Sequence, residues 1–318
     1  MNFFLTGYTG FVGSNICNKL KDYNVVLAGR ATSKNSSFKN AVYCTFDLKK
    51  TNILKPYLDG IDVAIHCAAL VHITNDGNQE DYKKENVIST LEFAKQAASS
   101  GVKRFIFIST IKVNGESTEL GRPFKPDDNY VPTDPYGLSK YEAEVGLRKI
   151  ADETGMEVVI IRPPLVYGPG VKANFASMMK WVNKGVPLPL GGIKNNKRSL
   201  VSVDNLVDLI ITCIEHPKAA NQTFLVSDNA DVSTTGLLNN MAVALNVPNR
   251  LIPIPASWFN LASKFAGKPA ISQRLCGSLQ VDISKTVDLL NWNPPYSSAE
   301  CMKKTADAFL DTINKKNQ

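Results

Sequence analysis

The sequence predicts an α/β protein built on a doubly wound parallel sheet, and three observations predict it. Short β-branched runs alternate with helical stretches from residue 1 to about 162, the pattern of parallel strands covered by helices on both faces. A glycine-rich turn, Thr6-Gly7-Tyr8-Thr9-Gly10-Phe11-Val12-Gly13, directly follows the apolar run Phe3-Phe4-Leu5. Behind it Phe11, Val12, Ile16, Cys17 and Leu20 recur at helical spacing. Glycines so placed permit a tight turn, let bare backbone approach a pyrophosphate, and aim unpaired helix N–H groups at the anion. The turn therefore reads as a dinucleotide cradle.

Composition sets outer limits. A chain of 318 residues, 44% hydrophobic and 20% charged, can bury one large core or two joined lobes. The first strand starts at residue 2 and no apolar run nears the roughly 18 residues of a membrane span, so a cytoplasmic protein without export or a membrane span is expected. The six cysteines lack C-x-x-C pairs and only three histidines accompany them, which argues for buried thiols in a reducing compartment and no metal site. A net charge of +7 favours anionic partners. Its lysine pairs are scattered with no aromatic-interleaved basic module, so a phosphorylated metabolite is expected rather than nucleic acid.

Strands are expected at Phe3-Leu5, Val25-Ala28, Val42-Phe46, Val63-His66, Arg104-Ser109 and Glu157-Arg162. The largest helices are expected at Gln79-Ser100 and Tyr136-Thr154. Carboxyl ends of parallel strands share one edge, where ligands bind. The second strand ends in Ala28-Gly29-Arg30, with no acid where NAD-preferring folds place one for the ribose diol. Arg30, with Ser33 and Lys34 beside it, suits a 2′-phosphate through charge-assisted bonds, which tilts the cofactor from NAD toward NADP(H). After the fourth strand come His66-Cys67-Ala68-Ala69; Ala68 and Ala69 let backbone pass close to the cofactor, and His66 reads as packed.

Ser109-Thr110 ends the fifth strand, and Tyr136-Gly137-Leu138-Ser139-Lys140 follows on a helix. Residues four apart share a helix face, so Lys140 stands beside Tyr136. A nearby cation lowers a phenol's pKa and makes Tyr136 a usable general acid/base.

The glycine turn resembles the T-G-x-x-G-F-x-G of extended short-chain dehydrogenase/reductases, and Tyr136 to Lys140 resembles their Y-x-x-x-K. The likeness is strongest to the nucleotide-sugar epimerase and 4-ketoreductase branch and implies a Rossmann fold with a smaller interleaved α/β substrate lobe. It also implies that Thr110, Tyr136 and Lys140 are catalytic, that Asp47 and Leu48 face the adenine, that Lys140 bonds the nicotinamide ribose, and that Pro163 binds the cofactor. Arg162-Pro163-Pro164-Leu165-Val166-Tyr167-Gly168-Pro169-Gly170 resembles the turn into the substrate lobe. Within that lobe Asn174, Arg198 and Arg274 match residues that bind a sugar-nucleotide diphosphate, and Leu188 matches the segment lying against uracil. Val203 to Asp208 resembles the return to the cofactor domain. The expected division is thus 1–165 with 200–228 for the cofactor, and 166–199 with 229–318 for a UDP-sugar. Ser257 to Phe265 is an apolar helical stripe expected to be core or a lid.

The branch holds several reactions. Ile111 and Lys112 occupy the positions where 4,6-dehydratases carry an Asp-Glu pair, which disfavours that reaction. Arg30 points to an NADPH-dependent 4-ketoreductase of a UDP-4-keto-6-deoxy-HexNAc, in surface-polysaccharide synthesis. The alternative is a UDP-hexose 4-epimerase acting on UDP-Glc or UDP-GlcNAc. A non-catalytic NADP-sensing regulator is more remote, because it needs neither Tyr136 nor Lys140. Relatives suggest a homodimer through the two long helices.

Overall fold

The computed structural model describes residues 1–30, 40–50, 53–71, 79–265 and 269–317. Its first half runs β1 (Asn2–Thr6), α1 (Phe11–Leu20), β2 (Asn24–Gly29), β3 (Ala41–Thr45), α2 (Lys55–Leu58), β4 (Val63–His66), α3 (Gln79–Tyr82), α4 (Ser89–Ser99), β5 (Arg104–Ile108), α5 (Pro135–Thr154) and β6 (Glu157–Arg162). There follow β7 (Leu165–Tyr167), α6 (Ala173–Asn183), β8 (Leu200–Ser202), α7 (Val203–Glu215), β9 (Thr223–Leu225) and α8 (Thr234–Leu245). The chain closes with α9 (Ala256–Phe265), α10 (Pro269–Cys276), α11 (Ser284–Leu290) and α12 (Ser298–Asn317).

Seven strands pair in parallel in the order β3-β2-β1-β4-β5-β6-β9. Because both sheet faces are covered, these strands are apolar on both sides. Leu5, Leu27, Ile65 and Val159 pack against α1 and α7, while Phe4, Val26, Phe105 and Ile160 pack against α4 and α5. The strand order reverses at β1 and β4, so the turns after these two strands open the crevice where such sheets bind ligands. A separate cluster around Tyr167, Phe175, Met179, Leu238, Met241 and Met302 joins α6, α8 and α12. The segment through α7 and β9 returns to the main sheet, with β9 beside β6.

Two expectations need amending. Gln79 to Ser99 is helical throughout, but a π-helical turn at Lys83–Ile88 joins α3 to α4 and buries Glu85, Asn86 and Val87. A wider turn of this kind re-aims side chains, here toward the ligand edge. The apolar stripe is helix α9, yet Trp258 is 69% and Leu261 58% exposed, so these two large side chains point outward rather than into a core. Among the described residues no helix is long and apolar enough to cross a membrane.

Candidate active site

The glycine turn bridges β1 and α1 at the crevice. Gly7 adopts φ +70°, and a Cβ there would lie 2.7 Å from Ala68 N. A Cβ on Gly13 would drive into the Gly7 carbonyl, so helix and turn are pressed together. Gly10 differs: its Cβ would meet only Gly7 O, at 3.1 Å, and otherwise face open space. Gly10 also caps α1 without a side-chain hydrogen bond, which leaves the first N–H groups of the helix free of a side-chain partner. That geometry fits a dinucleotide pyrophosphate.

His66 is packed, as expected, but it is not unpartnered. Its Nδ1 lies 2.7 Å from Thr6 Oγ1 and its Nε2 3.0 Å from Thr90 Oγ1, with the ring stacked on Phe107. Burial holds its pKa well below the usual range. Thr6 Oγ1 accepts from Ala68 N at 3.2 Å, so the histidine ties the glycine turn to the Ala68-Ala69 backbone.

Helix α5 starts where the sequence signals it. Asp134 Oδ1 accepts from Gly137 N at 3.1 Å and Pro135 occupies the first helical position. Tyr136 and Lys140 then lie one turn apart at the ends of β4 and β5. Lys140 is 2% exposed, and its Nζ sits 3.9 Å from the Phe107 ring centroid. Among the described residues no hydrogen bond or ion pair reaches that ammonium. Burial pulls its pKa down to about 7, opposed by the Glu144 carboxylate.

The expected lowering of the Tyr136 pKa is absent from the protein alone. Burial, then Asp134 and Tyr82, push the phenol upward, because Lys140 leans on Phe107 instead of neutralising it. Thr110 begins a short turn at the end of β5, where its Oγ1 accepts weakly from Lys112 N at 3.4 Å. Ile111 N donates to Pro163 O at 2.9 Å, which brings this expected cofactor-binding residue to the same edge.

What braces this edge carries little signal in the sequence. Glu144, fully buried, accepts from Ser109 Oγ at 2.6 Å and from Arg162 at 2.9 and 2.6 Å. One carboxylate thereby ties the ends of β5 and β6 to α5, one turn beyond Lys140. Asn86, on the π-turn, exchanges hydrogen bonds with Leu70 and donates to Ser139 Oγ at 3.0 Å. The signal available for Glu144 was its i+4 spacing from Lys140. Asn86 carried none, since nothing in the sequence marks a π-turn.

At the far end Asp47 follows β3, where its Oδ1 accepts from Lys49 N at 3.1 Å, and Leu48 is half-buried. Arg30 is exposed; Ser33 and Lys34 lie outside the described residues. Burial raises the Glu85 carboxyl, which feels Lys49, Asp81, Asp47 and Arg30 around it. Of the lobe residues, Arg198 donates to Arg274 O and Gly277 O, each at 3.2 Å. Desolvation lowers its pKa. Asn174 and Arg274 are exposed and Leu188 is half-buried.

The sequence matches the NAD dependent epimerase/dehydratase family over residues 3–227. This chain belongs to that family. It is an enzyme of the extended short-chain dehydrogenase/reductases, of the nucleotide-sugar branch. A UDP-glucose 4-epimerase from Vibrio cholerae is 51% identical, over 98% of this chain and 96% of its own. Among solved structures, UDP-glucose 4-epimerase from Thermotoga maritima with UDP-glucose superposes with a TM-score of 0.78 at 23% identity, covering 98% of this chain and 100% of that one. UDP-glucuronic acid 4-epimerase from Bacillus cereus in complex with NAD gives 0.76 at 22% identity, over 98% and 99%. These two likenesses speak for the fold.

Proposed function

We propose that this chain is a 4-epimerase of a UDP-hexose that works with bound NAD. The 51% identity to a UDP-glucose 4-epimerase over nearly the whole chain carries the reading, and it favours epimerisation over the 4-keto reduction to which Arg30 points. The match to a family described as NAD dependent supports NAD over NADP(H).

NAD, when bound, supplies a reversible acceptor for the hydride at C4 of the hexose. The chain does the rest. Gly7 to Gly13 and the start of α1 hold the pyrophosphate, Asp47 and Leu48 flank the adenine, and Ala68, Ala69 and Pro163 line the path to the nicotinamide. Tyr136 takes the proton of the 4-hydroxyl and later returns it. Lys140, on the same helix face, supplies the positive charge that favours the phenolate against burial and Asp134. Thr110 hydrogen-bonds the sugar oxygen and fixes its direction. Arg198, Arg274, Asn174 and Leu188 receive the UDP moiety, so that residues 166–199 and 229–318 act as the substrate lobe against a cofactor unit of 1–165 and 200–228.

The test needs no added cofactor. Purified protein should interconvert UDP-Glc or UDP-GlcNAc with its 4-epimer, followed by NMR, without lasting change in reduced-nicotinamide absorbance, and denaturation should release NAD. Consumption of NADPH with a UDP-4-keto-6-deoxy-HexNAc, without epimerisation, would replace the epimerase by the reductase. A biological role that survives Tyr136→Phe would restore the non-catalytic regulator.

A further inference from the structure

Lys112 stands two residues beyond Thr110, and its Nζ joins two carboxylates, Asp134 Oδ1 at 2.9 Å and Glu116 Oε1 at 3.0 Å. Asp134 is also the cap of α5, two residues before Tyr136. A half-buried cation on the Thr110 turn thus clasps the one carboxylate that opens the Tyr136 helix. The cap itself needs only a side-chain oxygen toward Gly137 N, which a neutral Asn supplies equally well. Neither the cap nor the fold therefore requires the charge on Asp134, and that charge sits beside a half-buried phenol.

We propose that Lys112 is a positioning residue that sets the basicity of Tyr136 by neutralising Asp134 while it holds the Thr110 turn against the start of α5. This deepens the epimerase reading and rests on it for its kinetic consequence.

The groups around Tyr136 are few. Asp134 faces it from the cap, Tyr82 from α3 with ring centroids 6.1 Å apart, and Lys140 from the next turn of α5. Asp134 and Tyr82 oppose the phenolate, and the Lys140 ammonium rests on the Phe107 ring. Glu116 is the second carboxylate on Lys112 and lies on the exposed side of the clasp. Without Lys112, Asp134 keeps its full charge and the phenolate forms at higher pH. Lys112 and Asp134 carry opposite charges on one spot beside the phenol, so their removal should shift the limb in opposite directions and their joint removal should largely cancel.

The experiment compares pH profiles of the epimerisation rate for wild type, Lys112→Met, Asp134→Asn and the double variant. Lys112→Met should move the rising limb up by about half a pH unit, roughly a threefold loss of rate below it. Asp134→Asn should move the limb down, and the double variant should bring it back close to wild type. Lys112→Arg should restore the wild-type limb. An unmoved limb in Lys112→Met, or a double variant whose limb stays with either single variant, would overturn the proposal. If the wild type epimerises no UDP-hexose, the functional reading fails by itself. Tyrosinate absorbance of NAD-loaded protein, with Tyr136→Phe as the subtraction, then decides the Lys112 proposal: the same ordering supports it, and an unshifted Tyr136 titration overturns it.

Discussion

The sheet edge proposed to move protons and the rim proposed to receive the nucleotide-sugar are built in opposite ways. At the edge, Ser109, Lys140, Glu144 and Arg162 are all buried, and Glu144 hydrogen-bonds both strand ends. At the rim, Asn174 and Arg274 are exposed, and Arg198 donates to backbone carbonyls of α10 and the residue after it. Packing of the main sheet thus fixes the buried edge residues, whereas the lobe presents its proposed diphosphate contacts from a helix start, a loop and a short helix. Changes at the edge should accordingly alter chemistry and stability together, and changes at the rim should alter binding alone.

Lys140→Met breaks the edge most severely. Turnover should fall roughly 10²- to 10⁴-fold, the usual share of a general acid/base device, while the protein stays folded. Stability supplies an independent reading. The folded pKa of Lys140, about 7, lies below its unfolded value, so between pH 7 and about 10 the unfolded chain binds the more protons and stability rises with pH. Thermal unfolding across that window should show the rise in wild type and a flatter curve in Lys140→Met. An identical slope in both would contradict the burial of an uncompensated ammonium.

Glu144→Gln tests the brace. Removing one partner of a buried ion pair costs about 3–5 kcal/mol, to be read by denaturant unfolding. Glu144→Gln with Arg162→Met should recover part of the loss, since the Arg162 guanidinium is then no longer stranded. Next comes Gly10→Ala, whose Cβ meets nothing but Gly7 O: melting of the nucleotide-free protein should be nearly unchanged while retained NAD is lost. Equal NAD content in variant and wild type would deny the cradle its role. Arg274→Ala should give the smallest effect, a several-fold rise in KM with kcat and melting unchanged.

The same contrast explains what was legible in the sequence. Gly7, Gly10 and Gly13, the strands behind them and the Tyr136-Lys140 spacing follow from local rules of turn, period and helix face, and the structure places them accordingly. Long-range partners were hidden. Nothing local tells that Glu144 meets Arg162 across two strands, or that Lys112 meets Asp134, because such pairings exist only once the sheet has formed. The direction of the Tyr136 shift was misread for a related reason: spacing brings Lys140 to the right face, but the Phe107 ring decides where its ammonium rests. Trp258 and Leu261 expose the limit of periodicity, which identifies an apolar face without saying what covers it.

The account rests on Tyr136 exchanging only a hydroxyl proton while the hydrogen on C4 never meets solvent. Conversion of UDP-Glc or UDP-GlcNAc in D2O, with no cofactor added and the C4 position read by proton NMR, tests this most directly. Both epimers should keep protium at C4 after many turnovers. Deuterium appearing at C4 would contradict the account, since it would require the carbon itself to be deprotonated.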